Sequence, residues 1–164
     1  MRRRVVLALA LGAATAGCAA LLPRDEVQRT TEGPTAEDML TARFLDGFKR
    51  PPTFDEGLAF RAEMEQRIAD YLARHPEMAA SPRASQLRFA RRVSVGMNRS
   101  EVVLLVGEPL AATGDRAAMQ RAAGPFWLAI GGEVQEMWSY PGGWKLYWNG
   151  DRLADLTYVG KPPQ

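Results

Sequence analysis

The end of the chain leaves the backbone few choices. Val134, Glu136, Trp138 and Tyr140 alternate with Gln135, Met137 and Ser139, Pro141-Gly142-Gly143 makes a turn, and Trp144 to Trp148 is a second strand. Asn149-Gly150-Asp151 then turns the chain into a third strand from Arg152 to Val159. A two-residue Asn-Gly loop would set Trp144 opposite Asp155 and Trp148 opposite Asp151. A three-residue loop with Gly150 left-handed sets Trp144 opposite Leu156, Leu146 opposite Ala154 and Lys145 opposite Asp155, and is chosen because it keeps like with like. The apolar face of Trp144, Leu146, Ala154, Leu156 and Tyr158 must then be covered by helices.

Those helices are marked by their ends. Asn98-Arg99-Ser100-Glu101 is a capping pattern ahead of Val102 to Val106, Gly107 can close the helix, and Pro109 prevents its continuation. Ser81-Pro82 opens a short helix to about Ala90. Thr35-Ala36-Glu37-Asp38 and Thr53-Phe54-Asp55-Glu56 are two further capping boxes. The first helix stops before Pro51-Pro52; the second carries Phe60, Met64, Ile68 and Tyr71 as a packing stripe and ends at His75-Pro76. The expected fold class is therefore α+β: two layers, with short helices on a three-stranded antiparallel sheet, preceded by an additional helical segment. The connection from Leu110 to Glu133 holds a short helix around Arg116 to Ala122. It also holds the apolar run Phe126 to Ile130, read as a buried extra strand with an exposed loop tip as the alternative.

The N-terminus is an address. Arg2, Arg3 and Arg4 precede an apolar run from Val5 to Ala16. That run is shorter than the roughly 20 residues needed to span a bilayer and has the layout of a secretory signal. Thr15-Ala16-Gly17-Cys18 resembles a bacterial lipobox, with Thr15 where Leu, Val or Ile is usual; cleavage there leaves Cys18 as a diacylated first residue. The rival site, Ala14-Thr15-Ala16, would release a periplasmic chain with a free thiol. Lipidation is preferred because the sole cysteine stands just after a small residue at the end of the apolar run. Ala19 rather than Asp follows Cys18, which by resemblance to enterobacterial lipoproteins places the protein on the outer membrane, facing the periplasm. The expected organisation is a signal peptide over 1–17, a flexible tether over 18–34, a helical segment over 35–90 and an α+β domain over 91–160.

Charge changes meaning with processing. The whole chain is formally +2, but loss of residues 1–17 removes three arginines and no acid, leaving minus one. What remains is local: Arg83, Arg88, Arg91, Arg92 and Arg99 lie between Ser81 and Ser100 without an acid before Ser100. Arg83, Arg88, Arg91 and Arg92, with Trp127, are the candidate contacts to an acidic partner or anionic headgroups; a solvated helix face is the alternative. One cysteine and one histidine exclude an internal disulfide and a structural zinc site. There is no G-x-S-x-G, and the strand carboxylates Glu133, Glu136, Asp151 and Asp155, which could pair for glycoside hydrolysis, read instead as solvated edge charges or ion pairs. No catalytic residue, cofactor, metal or nucleic-acid partner is expected.

Val95-Gly96-Met97-Asn98, Val102, Leu105-Val106-Gly107-Glu108-Pro109, Trp138-Ser139-Tyr140 and the hairpin through Asn149-Gly150-Asp151-Arg152-Leu153 resemble the BamE (SmpA/OmlA) domain. Asn98 stands for its usual threonine and Val106 for its usual leucine. The likeness runs from about Val93 to Val159, while the Leu110 to Glu133 connection and the helices before the signature exceed what typical members carry. Gly96, Met97, Asn98, Val102, Gly107, Pro109, Trp138 and Tyr140 are the fold-determining positions. The resemblance implies a non-catalytic outer-membrane lipoprotein that serves β-barrel assembly, binding partner lipoproteins or barrel proteins and, in some members, anionic phospholipid. The competing expectation is a periplasmic binding or inhibitory module that presents aromatics from the sheet, its contacts being whichever of Trp127, Trp138, Trp144, Tyr147 and Trp148 are exposed, with burial of most of them in the core as the alternative.

Overall fold

A computed structural model describes residues 26–160. The signal segment, Cys18 and the first part of the tether lie outside the described residues. The fold is α+β, built around an antiparallel sheet of five strands, not three. Strands β1 (Val27–Thr30), β4 (Ala111–Thr113), β5 (Glu136–Ser139), β6 (Lys145–Asn149) and β7 (Arg152–Val159) lie in the order β1-β7-β6-β5-β4. Strands β2 (Glu32–Thr35) and β3 (Arg92–Ser94) form a separate antiparallel pair.

The two added strands come from segments with little apolar pattern. The tether expected over 18–34 gives way at Val27, where β1 pairs with β7, Val27 opposite Val159 and Thr30 opposite Leu156. Backbone hydrogen bonds and the Arg29 guanidinium, 2.6 Å from Asp155 Oδ2, hold this edge. Strand β4 likewise joins β5 by backbone pairing, Ala112 opposite Trp138.

Helices begin where their caps predict. Thr35, Thr53 and Asn98 form complete capping boxes with Asp38, Glu56 and Glu101, starting α1 (Ala36–Phe48), α2 (Phe54–Arg74) and α4 (Arg99–Val106). Ser81 caps α3 (Pro82–Ser85), after which the chain widens into a π turn over Gln86–Ala90, with Arg91 N bonded to Gln86 O. The expected single helix to Ala90 is thus two pieces. His75, after α2, stacks on Tyr71 and places Nδ1 2.8 Å from the Tyr71 carbonyl oxygen.

The hairpin register differs from the expected one. Asn149 faces Arg152 across a two-residue Gly150-Asp151 loop, and the pairing then shifts so that Leu146 faces Leu156 and Lys145 faces Thr157. The irregularity has a packing cause. Leu153 and Leu156, an odd number of residues apart, are both fully buried in one cluster, which a regular strand forbids. Ala154 goes to the opposite face.

Both faces of the sheet are covered, so the two-layer expectation becomes three layers. On one face Trp138, Leu146, Trp148, Leu153 and Leu156 pack with Met39 of α1, Met64, Ile68 and Leu72 of α2, Leu87, and Val102 and Leu105 of α4. The helical segment over 35–90 therefore shares the core of the 91–160 unit. On the other face Met137 and Tyr147 pack with Met119 and Ala123 of α5 (Arg116–Ala123) and Ile130 of α6 (Trp127–Ile130). The expected strand at Phe126 to Ile130 is this helix: Ile130 is buried, Phe126 and Trp127 are half-buried, and Leu128 is exposed.

Candidate functional site

The arginine-rich segment was the sequence's strongest surface signal, and most of its charge is spent inside the fold. Arg83 Nε lies 3.6 Å from Glu101 Oε1, and its guanidinium also donates to Gln86 and Ser94. Glu101 is buried, and its other oxygen accepts from the Asn98 backbone N at 2.8 Å. Arg91 bridges Glu37 at 3.2 Å and Glu65 at 2.9 Å with only 14% of its side chain exposed. Arg92 lies 3.9 Å from Glu32. Arg99 lies over the Trp138 and Trp148 rings and 2.6 Å from Glu136. That contact, helped by the Trp138 indole N–H, holds the Glu136 carboxyl below its ordinary pKa. Arg88 is exposed and makes no ion pair among the described residues.

Arg88 stands on the rim of a groove of about 600 Å³, within the size range of ligand sites. Its floor is Ile68 and Leu72, buried residues of the α2 stripe. Ala69 and Ala73, one turn apart, and Ala79 beyond the helix are too small to fill the space above that floor. Phe89 forms the far wall with 83% of its surface exposed. The π turn sets this arrangement, because Arg91 takes a left-handed φ of 46° and its carbonyl accepts from Ala36 N at 2.8 Å. Arg91 and Glu65 close one end as a fixed pair. The result is an apolar trough with one available cation, suited to an apolar side chain or chain segment that carries an acid nearby.

The other predicted residues divide cleanly. Gly96, Met97, Asn98, Val102, Gly107, Trp138 and Tyr140 come together as a lock between α4 and the sheet. Gly96 N donates to Leu153 O, Leu153 N to Met97 O, and Tyr140 Oη to Gly107 O, each at 2.8 Å. Pro109 follows the helix end and precedes β4. Trp127 is on the far side of the sheet, beneath Arg116, and does not join the arginines. Trp138, Trp144, Tyr147 and Trp148 are buried, which corrects the expectation that the sheet presents its aromatics to a partner. The carboxylates are also engaged: Glu133 by Asn149, Glu136 and Asp151 by Arg99, and Asp155 by Arg29.

Two features escaped sequence reasoning. Phe89, between Arg88 and Arg91, carries no periodic signal, although an aromatic flanked by arginines beyond a proline-started helix is the visible clue. Lys145, half-buried on the second face, donates to Ser139 Oγ at 3.0 Å, and burial lowers its pKa. Among the described residues no cluster of three His, Cys, Asp or Glu side chains is arranged to hold a metal. No family model matches the chain, and no curated protein or solved structure matches it.

Proposed function

We propose that the protein is a lipid-anchored accessory of the outer membrane, facing the periplasm and acting as a non-catalytic scaffold in β-barrel protein assembly. The observation that carries the reading is the α2 groove: an open apolar trough with Phe89 as a wall and Arg88 as a cation that makes no ion pair among the described residues. Such a surface is suited to holding a partner segment, and the carboxylate on its lining, Glu65, is paired with Arg91. Two further features support it. The sequence around Cys18 has the layout of a lipobox, and two or three acyl chains anchor firmly where one does not. The residues of the BamE-like signature pack together as the α4–sheet lock, leaving the surface of α2 and the π turn free for contact.

The test is co-purification. A tagged full chain, extracted from membranes in mild detergent, is expected to bring barrel-assembly lipoproteins or barrel proteins with it. Recovery of the chain alone under conditions that keep the assembly machinery intact contradicts the proposal.

A further inference from the structure

Among the described residues, four exposed apolar side chains gather at the elbow between α1 and α2. Leu45 and Phe48 on the last turns of α1 are 49% and 67% exposed, and Phe54 and Leu58 on the first turns of α2 are 78% and 46% exposed. Every residue from Leu45 to Pro51 is exposed, so the elbow projects, with a small hollow of about 180 Å³ beside Phe54, Leu58 and Arg61 on its α2 side. Its shape is held from within. Arg50 lies over both the Phe44 and Phe48 rings and grips Glu56 with two hydrogen bonds of 2.8 Å, while Glu56 closes the Thr53 capping box. Asp46, Lys49, Asp55 and Arg61 surround it, two acids and two bases, so the collar has no net sign.

The chain enters the fold at the same end. Val27 faces Val159; a Cβ on Gly143 would lie 2.7 Å from the Val159 carbonyl oxygen; and a Cβ on Gly142 would lie 4.0 Å from Ala42 Cβ on α1. From Ala42, α1 runs about 9 Å further to Phe48. The stretch from Cys18 to Val27, even fully extended, spans at most about 30 Å. An anchor at Cys18 therefore keeps the elbow within one domain's breadth of the bilayer, as it does the Gly124 turn before α6, which also lies beside Val27.

We propose that the α1–α2 elbow inserts Leu45, Phe48, Phe54 and Leu58 into the bilayer interface and fixes the orientation of the protein on its membrane; this rests on the lipid-anchor reading of Cys18. No helix among the described residues is long and apolar enough to cross a membrane, so the contact is interfacial. Because the collar is charge-balanced, the contact is with acyl chains and is indifferent to headgroup sign. The elbow then sets which way the groove faces, toward the periplasm or along the membrane.

The experiment reconstitutes the wild-type mature protein, purified from membranes, in phosphatidylcholine vesicles containing a phosphatidylcholine with a photoactivatable acyl chain, then maps adducts by peptide mass. Adducts are expected on the Leu45 to Leu58 region, with few on the Trp127 to Ile130 helix, whose Leu128 is even more exposed. Replacing part of the lipid with phosphatidylglycerol should leave the pattern unchanged, and Phe48→Asp with Phe54→Asp should lower elbow adducts about tenfold. Phe48 packs on Phe44 and under Arg50 whereas Phe54 lies outside that stack, so Phe54→Asp alone is the variant that leaves the elbow's internal contacts in place, and circular dichroism verifies the fold of both variants. Adducts equal at Leu128 and the elbow, or absent from the elbow, overturn the proposal. Elbow protection without vesicles that grows with protein concentration also overturns it, in favour of a second copy. The mass of the mature N-terminus is read in parallel. An acylated chain with an unlabelled elbow removes the insertion and keeps the anchor; an unacylated chain with a labelled elbow does the reverse.

Discussion

At the α4 end of the arginine-rich segment, Arg83 and Arg99 face carboxylates, rings and backbone carbonyls; at the α2 end, Arg88 faces solvent above an apolar trough. The residue type is the same and the physical state is opposite. Arg83 shares the buried Glu101 with the Asn98 cap, and Arg99 is sandwiched between two tryptophans and Glu136. Those charges are structural, since exposing them to a partner would first require breaking their own pairs. Arg88 carries no such debt. A local run of positive charge is therefore a poor measure of the charge a partner can meet, and what matters is the cation left over after the acids elsewhere in the chain have been matched.

The comparison can be broken by substitution. The largest effect is expected for Glu101→Ala, which leaves Arg83 facing a vacated site and removes half of the α4 capping box; loss of about 2 kcal/mol in urea unfolding is expected. No change would place Glu101 outside the lock. Arg91→Ala removes the bridge to Glu37 and Glu65 and loosens the π turn, for about 1 kcal/mol, with weaker partner capture because the groove wall shifts. Arg88→Ala should change stability by less than about 0.5 kcal/mol and still lose partner capture, separating binding from folding. If Arg88→Ala costs as much stability as Arg91→Ala, the division into structural and available arginines fails.

Acid gives a finer test. The folded-state pKa of Glu136 is depressed by Arg99, so its contribution is present above the ordinary carboxylate pKa and is lost as pH falls through the folded value. Stability should therefore decline below about pH 4.5 with a component that Glu136→Gln removes. An identical acid limb in wild type and variant would show that Arg99 is held without Glu136, by the tryptophans, Asp151 and the Gly150 carbonyl.

How much of this was legible follows from which interactions leave a pattern. Capping boxes at Thr35, Thr53 and Asn98 are local, so the starts of α1, α2 and α4 could be read directly. The second face of the sheet could not, because Met119, Ala123 and Ile130 lie in a connection without sustained periodicity. A clue was present: Leu146, Tyr147 and Trp148 are consecutive and all apolar, and a strand apolar on both sides is covered on both sides. The hairpin register failed for a related reason. Pairing by like chemistry assumes a regular strand, whereas burying both Leu153 and Leu156 required a bulge. Strand β1 was invisible because Gln28 and Arg29 give no alternation, and its bonds are made by backbone and by Arg29 to a residue far along the chain. The groove was half legible. The α2 stripe was apparent as packing surface, but the emptiness above Ile68 and Leu72 depends on where the π turn places Phe89.

The central claim is that the groove, and not the sheet or the arginine run as a whole, is the surface that meets a partner. It is tested most directly by placing a photo-crosslinking amino acid at Phe89 in the full chain and irradiating living cells. Discrete adducts with barrel-assembly components are predicted, lost when Arg88→Glu is introduced and unchanged when Arg92→Glu is introduced. Absence of such adducts, or adducts that persist with Arg88→Glu, would contradict the account.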